Sequence, residues 1–504
     1  MYSPSPRKPK KPFTTNRLLF IPSALADLSR FLTGLGKDSR FIHDHQDKIA
    51  YILHRIHEGK GFDTCVASAG YVNLSQEVLA QVLGKRYVSP MLSLLLDAGV
   101  IETDGCYMEG EKALGYRVAD AYRSPAIGIL IFNQDVLGRK LALHARKRKT
   151  EAKHTTLVKN IYADIRALRI RYTAACHYNR SVYEQTESFL RDHESELLTY
   201  SFSKQHYQAL LDGATVDGNV HLPSVQDLRK AMRVRKDRTA FQVLIDANLD
   251  AFAANLISIE KINSKDFHPP KRPVDGSRIY TNLTNLSSDL RQFLYHAKHA
   301  ETILYNIDIK NSQPFLIGIL LRKTYQGELP IDAKQYIADT SSGVFYERVA
   351  ALMGNPLGTL NDNDTELVKS QKRRERKEFK QSFFSTVFFC ENRHTEGSKA
   401  WSVFEGEYPT VAGLIREHKQ HDYRALANLM QHTEAQIILE KVVRRLHKSK
   451  VWCASIHDSI VCLAPDRETV KATMLTSFRD EFNLAPTLNE DALRKHPVEN
   501  GTFC

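Results

Sequence analysis

The sequence predicts an α+β protein of several domains, mostly helical, with a few short antiparallel strands. Three observations predict it. The chain has 504 residues, too many for one compact core. Long stretches place Leu and Ile at helical spacing between charged residues. Two short apolar runs, 304–309 and 455–462, read as strands, and the second turns back on itself around His457-Asp458.

Composition narrows the function. Hydrophobic residues make up 42%, enough to build cores, which excludes a disordered chain. The net charge of +12 favours an anionic partner, most often nucleic acid. Seven cysteines without a C-x-x-C pair predict neither a zinc site nor a disulfide framework, and point to a reducing compartment. No apolar run approaches the roughly 20 residues of a membrane span, so no membrane partner is expected. The N-terminal stretch lacks an apolar h-region, so a cytoplasmic rather than secreted protein is expected.

Residues 1–14, rich in Pro, Lys and Arg, read as a disordered basic tail. In 15–130, Ser75 is placed to cap a helix that Gly84 ends, and a second helix is expected over 89–99, with Pro90 in its first turn and Gly99 at its C-cap. Val100-Ile101-Glu102 and Gly115-Tyr116-Arg117-Val118 then read as two strands around a polar loop. Helix, turn, helix and hairpin resemble a winged helix. That resemblance implies duplex binding, with the 89–99 helix in the major groove and Lys85 and Arg86 near phosphates.

Residues 131–266 read as helical and basic, with runs at 146–149 and 229–238 suited to a duplex backbone. Acids such as Glu184, Glu187, Asp192 and Glu194 sit there at helical surface spacing, which does not compose a proofreading exonuclease. A stretch of turn formers at 267–276 opens the last segment, 267–504.

The chemistry is expected in that segment. Arg278 and Arg291 stand among hydroxyls and amides that suit sugar and phosphate contacts. The strand 304–309 delivers Asp308, and the hairpin tip delivers Asp458; a strand end holds a carboxylate rigidly, as a metal ligand requires. Between them a basic helix carries Arg376, Lys380, Phe384 and Phe388 four residues apart, hence on one face. A nucleoside triphosphate fits that face, with phosphates on Arg376 and Lys380 and the base against Phe384.

These residues resemble the palm and fingers of family A DNA polymerases and the related single-subunit phage-type polymerases. Asp308 matches the aspartate of motif A. Arg376-x-x-x-Lys380-x-x-x-Phe384-x-x-x-Phe388 matches motif B, and His457-Asp458 matches motif C. The resemblance implies an antiparallel palm sheet with helical fingers, and a thumb-like role for 131–266. It implies two Mg²⁺ ions, with Mn²⁺ as a substitute, held by Asp308 and Asp458. It also implies proton donation by Lys380, primer-end support by His457, and template–primer contact by Gln431. The partners implied are template–primer DNA, an origin duplex and nucleoside triphosphates.

Departures are specific. Ser312-Gln313 comes two positions later than the family's Ser-Gln, so Gln313 stands where the family's sugar-selecting Glu would be. Motif B ends in Phe388-Phe389 instead of Tyr-Gly, and Ser459 follows Asp458 where DNA polymerases carry Glu. The expected function is a template-directed DNA polymerase of a phage, plasmid or other mobile element. Alternatives are an RNA polymerase or primase on the same palm, a non-catalytic replication initiator, and a DNA-binding regulator in which Asp308 and Asp458 lie far apart.

Overall fold

The computed structural model describes residues 17–62, 70–151, 155–198, 204–214, 220–235, 238–272, 277–325, 327–359, 361 and 363–494. The basic stretch 1–14, Lys236 of the second basic run and 273–276 of the turn-rich stretch lie outside them. The fold is helix-rich α+β with small antiparallel sheets. The chain divides into two compact units. One comprises Met1–Lys153, Tyr172–Leu210 and Asn219–His268; the other comprises His154–Arg171, Leu211–Gly218 and Pro269–Cys504. Residues 131–153 and most of 172–268 therefore belong to the same unit as 15–130.

In the first unit, β1 (Leu18–Pro22) pairs antiparallel with a distant strand, and β2 (Val72–Asn73) precedes a helix pair. Ser75 caps the first helix, Gln76–Leu83, by accepting the Val78 N–H, and Gly84 ends it at φ +94°. The second helix is Lys85–Asp97, four residues longer at its start than expected, so Pro90 falls inside it and not in its first turn. The missing proline N–H costs one helical hydrogen bond there. Gly99 closes the turn at φ +64°, as a left-handed C-cap requires. Then β3 (Ile101–Thr103) and β4 (Gly115–Val118) pair antiparallel, and β2 joins the far edge of β4. The strand partner of β1 is β5 (Ala126–Leu130).

The helix Ala240–Asn263 is long and apolar enough to cross a membrane by length and composition. Here it is a core helix, started by a Thr239–Gln242 capping box. Val243, Leu244, Phe252, Ile257 and Ile259 are buried, and Asn179 donates to the Phe252 carbonyl at 3.1 Å. Two of its three acids are ion-paired across the unit: Asp246 with Arg123 and Arg235, Asp250 with Lys60. Asp246 and Asp250 interrupt the apolar stretch, so no uninterrupted run marks this helix in the sequence.

In the second unit, β6 (Leu168–Ile170) pairs with β7 (Leu294–His296). The main sheet has four antiparallel strands: β8 (Leu304–Ile309), β9 (Cys453–Ile456), β10 (Ser459–Leu463) and β11 (Leu488–Ala492), in the order β11-β8-β10-β9. Ile307, Ile460, Val461 and Cys462 are fully buried, so the sheet is a core element as well as a platform. A second core is aromatic. Tyr336, Phe345, Phe383, Phe388, Phe404 and Tyr408 pack mostly edge to face, with the Tyr336 hydroxyl on the Pro314 carbonyl at 2.9 Å and the Tyr408 hydroxyl on Asp339 at 2.7 Å. That core fixes the end of the basic helix Glu366–Phe383 relative to the helix Ser312–Thr324, which starts directly after β8.

Candidate functional site

The site is built where β8 and the β9–β10 hairpin end side by side. Asp308 pairs across the ladder with Ser459, and Asp458 is the residue before Ser459, in a two-residue turn. The turn needs a left-handed residue, which His457 supplies at φ +54°. The Ser459 hydroxyl locks it by donating to the Ile456 carbonyl at 2.9 Å. The two aspartates, 150 positions apart in sequence, are thus neighbours.

Their electrostatics are unusual for surface acids. Burial pushes Asp308 up to about 6, with repulsion from Asp458 and Asp491 adding to it and the Asn489 amide and Lys380 opposing it. Asn489 Nδ2 donates to Asp308 Oδ2 at 3.3 Å. Burial also pushes Asp458 up to about 6; Glu434 adds to it, while the Ser312 hydroxyl and Arg278 oppose it. Nearby polar atoms are buried without a partner among the described residues: Asn306 Oδ1, Asn311 Oδ1 and Nδ2, and His457 Nδ1. Unpaired buried polar atoms are costly, and these cluster around the two acids.

The basic helix brings in the cations. Lys380 is pulled down to about 8 by burial and by repulsion from Arg376 and Lys310, against the attraction of Asp308 and Asp458. Its ammonium lies 5.4 Å from the Tyr346 ring centre. Arg376 is ion-paired with Glu347, but its Nη2 is buried with no partner among the described residues. Lys310 is held against Gly343, where a Cβ would come within 2.6 Å of the lysine chain. Gly343 has φ +77°, so a side chain there is disfavoured twice.

The aromatic face departs from the expected four-residue repeat. The segment Phe384–Phe388 is a π-turn, and the Phe389 N–H bonds to the Phe384 carbonyl at 3.1 Å. The wider turn puts Phe389 under Phe384, with rings stacked at 6.3 Å, and turns Phe388 inward. Phe388, expected on the nucleotide-binding face, is 0% exposed between Phe383 and Phe404; its ring has no face open to a nucleotide. Phe384, half-buried, and Phe389, exposed and edge-on to Tyr423, are the rings available. Lys419 supports the π-turn by donating to the Val387 carbonyl at 2.9 Å.

The remaining expected residues fall into three groups. Arg278 is not free for a phosphate: it forms a two-point ion pair with buried Glu434, at 2.7 and 2.6 Å. It stays close enough to Asp458 and His457 to lower the pKa of both. Burial lowers His457 to about 4, with Arg278 and Arg291 adding to it, so its imidazole is neutral at pH 7. Tyr280 lies edge-on to that ring at 6.1 Å. Gln313 is partly exposed in the first turn of its helix, and Gln431 is partly exposed one turn before Glu434. Lys85 and Arg86 belong to the other unit. They are exposed in the first turn of their helix, with Arg86 stacked 4.7 Å over Tyr87.

Sequence reading missed Glu434, Asn489, Asp491, Lys310 and Tyr346. Glu434 lies one helical turn after Gln431, but nothing in its spacing marks a buried acid. Asn489 and Asp491 lie on β11, whose Leu-Asn-Glu-Asp-Ala carries no apolar alternation to mark a strand.

No protein-family model and no curated protein matches the chain. Among solved structures, the chain is similar to the POL domain of Pol1 from M. smegmatis, in complex with DNA primer-template and dNTP. The TM-score is 0.42 and the identity 11%, over 72% of this chain and 76% of that one.

Proposed function

We propose that the second unit is a template-directed nucleotidyltransferase, a DNA polymerase that adds nucleotides to a primer 3′-hydroxyl. The observation that carries the reading is the Asp308–Asp458 pair, set on adjacent strand ends opposite Lys380. Both carboxyls are raised chiefly by burial, with neighbouring acids adding to it, so the buried pair lacks a counter-charge. A hard divalent cation such as Mg²⁺ fits that deficit, and carboxylate and amide oxygens are its preferred donors. Asp308 and Asp458 would hold it, with the Asn306 and Asn311 side chains within the same polar surface. When bound, it supplies Lewis-acid activation of a hydroxyl and charge neutralisation on phosphate.

The chain's own residues do the rest. Lys380, protonated at pH 7, neutralises charge on the triphosphate and is poised to give a proton to the departing pyrophosphate. Arg376 exchanges its Glu347 partner for a phosphate, which its free Nη2 favours. Phe384 and Phe389 offer a stacking face to the base. Neutral His457 presents a hydrogen-bonding nitrogen toward the primer end. In the first unit, the helix pair, the β3–β4 hairpin and exposed Lys85 and Arg86 support a winged-helix-like duplex grip. A mobile-element origin and action in the cytoplasm remain part of the same reading.

Ser459 favours a second reading, an RNA polymerase or primase on the same palm, because it leaves the hairpin without the acid that DNA polymerases place there. The test is extension of a labelled primer–template with Mg²⁺, with dNTPs and NTPs supplied separately, beside Asp308→Ala and Asp458→Ala. Extension from dNTPs that both substitutions abolish supports a DNA polymerase. Extension from NTPs alone supports the second reading. No extension from either set on several templates overturns both in favour of a non-catalytic initiator.

A further inference from the structure

A separate cluster in the second unit has the donor set of a transition-metal site. Asp164 lies on the helix Thr156–Ala167, His447 on the helix Arg444–Lys448, and Cys453 opens β9. Their ligand atoms all lie within 4.8 Å of one another. His447 Nε2 contacts Asp164 Oδ2 at 2.6 Å, and Trp452 Nε1 donates to the Asp164 carbonyl at 3.1 Å, fixing the helix over the cluster. Cys453 is 2% exposed.

A plain structural Asp–His pair leaves two features unexplained. His447 Nδ1 is buried with no hydrogen-bond partner among the described residues, although the opposite nitrogen is satisfied. A thiol also converges on the pair, where a smaller apolar residue would pack as well. The thiol's place follows if the three side chains are ligands, and the orphaned Nδ1 shows that the Asp164 contact alone does not complete the imidazole's bonding. Metal–ligand bonds of about 2.0–2.3 Å in a tetrahedral shell separate donors by roughly 3.3–3.8 Å, so the cluster needs only small side-chain adjustments.

We propose that Asp164, His447 and Cys453 form a binding site for a thiophilic divalent cation of the Zn²⁺ class, distinct from the Asp308–Asp458 pair and independent of the polymerase reading. One thiolate, one carboxylate and a neutral imidazole around a dication sum to zero charge, the form a buried site tolerates best. Mg²⁺ and Ca²⁺ are disfavoured by the sulfur and the imidazole. Binding displaces the Cys453 proton to solvent and breaks the Asp164–His447 hydrogen bond. The consequence is local and mechanical: the cation ties the helix Thr156–Ala167 to the strand that ends in the His457-Asp458 turn. The absence of a C-x-x-C pair hid such a site, because its donors lie 283 and 6 positions apart.

The test is Co²⁺ titration of the chelator-stripped full chain, followed in the near ultraviolet and the visible, with metal content of the untreated protein by mass spectrometry. The expected result is near-stoichiometric zinc as purified. The titration should give a thiolate-to-cobalt charge-transfer band, lost in Cys453→Ser and unaffected in Asp308→Asn. Failure of the folded wild-type protein to give that band overturns the proposal, as does a band that persists in Cys453→Ser. Wild-type protein alone decides the first outcome, so it stands even where the cysteine variant does not fold.

Discussion

Asp308 lies directly opposite Ser459 across the β8–β10 ladder, which makes Asp458 its neighbour in the turn. Ladder register therefore fixes the spacing of the two carboxylates. Because both are raised to about 6 from an ordinary 3.8, the site stores a pH dependence. A raised acid stabilises the fold fully below its unfolded value and loses that contribution as pH rises through the folded value. Without Mg²⁺, thermal stability should therefore fall between about pH 4 and pH 7. Mg²⁺ should restore it mainly above about pH 6, where both acids are charged. Melting curves across that range test this. Asp308→Asn should flatten the slope and abolish most of the Mg²⁺ response.

Lys380 titrates at about 8, so it loses its proton just above neutrality. Extension rates at saturating nucleotide should decline as pH rises through that value. Lys380→Arg should move that limb to higher pH and slow the reaction, since a guanidinium donates a proton poorly. Lys380→Ala should cost about 10²–10³-fold in rate with little loss of primer–template binding. Single-turnover extension against pH separates these outcomes.

Phe384 and Phe388 should part company on mutation. Phe388→Ala removes a fully buried ring from the aromatic core and should cost about 3–5 kcal/mol of stability. Phe384→Ala should cost little stability but raise the KM for nucleotide several-fold, and Phe389→Ala should do the same. Chemical denaturation combined with nucleotide-dependence curves checks the contrast.

That contrast also shows where the sequence stopped being informative. The hairpin at 455–462 was legible because apolar runs flank a two-residue turn, and strand pairing then places Asp458 without further information. Ser75, Gly84 and Gly99 were legible as caps because local backbone chemistry requires them. The role of Phe388 was not, since one extra residue in a π-turn rotates everything after it, and a four-residue repeat cannot register that. The start of the helix Lys85–Asp97 was misplaced because Pro90 sits inside it despite its local cost. Glu434, Asn489 and Asp491 were hidden because their meaning depends on tertiary neighbours from elsewhere in the chain. The Arg278–Glu434 pair spans 156 positions and leaves no local pattern.

Glu434 offers the sharpest test of how the site is tuned. It is buried and held by two hydrogen bonds from Arg278, and its charge helps to raise Asp458. Glu434→Gln removes that repulsion and frees Arg278 to turn toward Asp458. Both effects should lower Asp458 toward an ordinary carboxylate value. Leaving a partly buried guanidinium without its partner should cost on the order of 3 kcal/mol of stability. The variant should therefore melt earlier at neutral pH and show a smaller loss of stability between about pH 4 and pH 7. It should also need more Mg²⁺ for half-maximal extension, because Arg278 now competes with the cation for Asp458. An unchanged Mg²⁺ requirement in a folded Glu434→Gln protein would show that Arg278 does not act on Asp458 at all. Double substitution with Arg278→Met should then recover most of the lost stability, since removing both charges leaves neither buried alone.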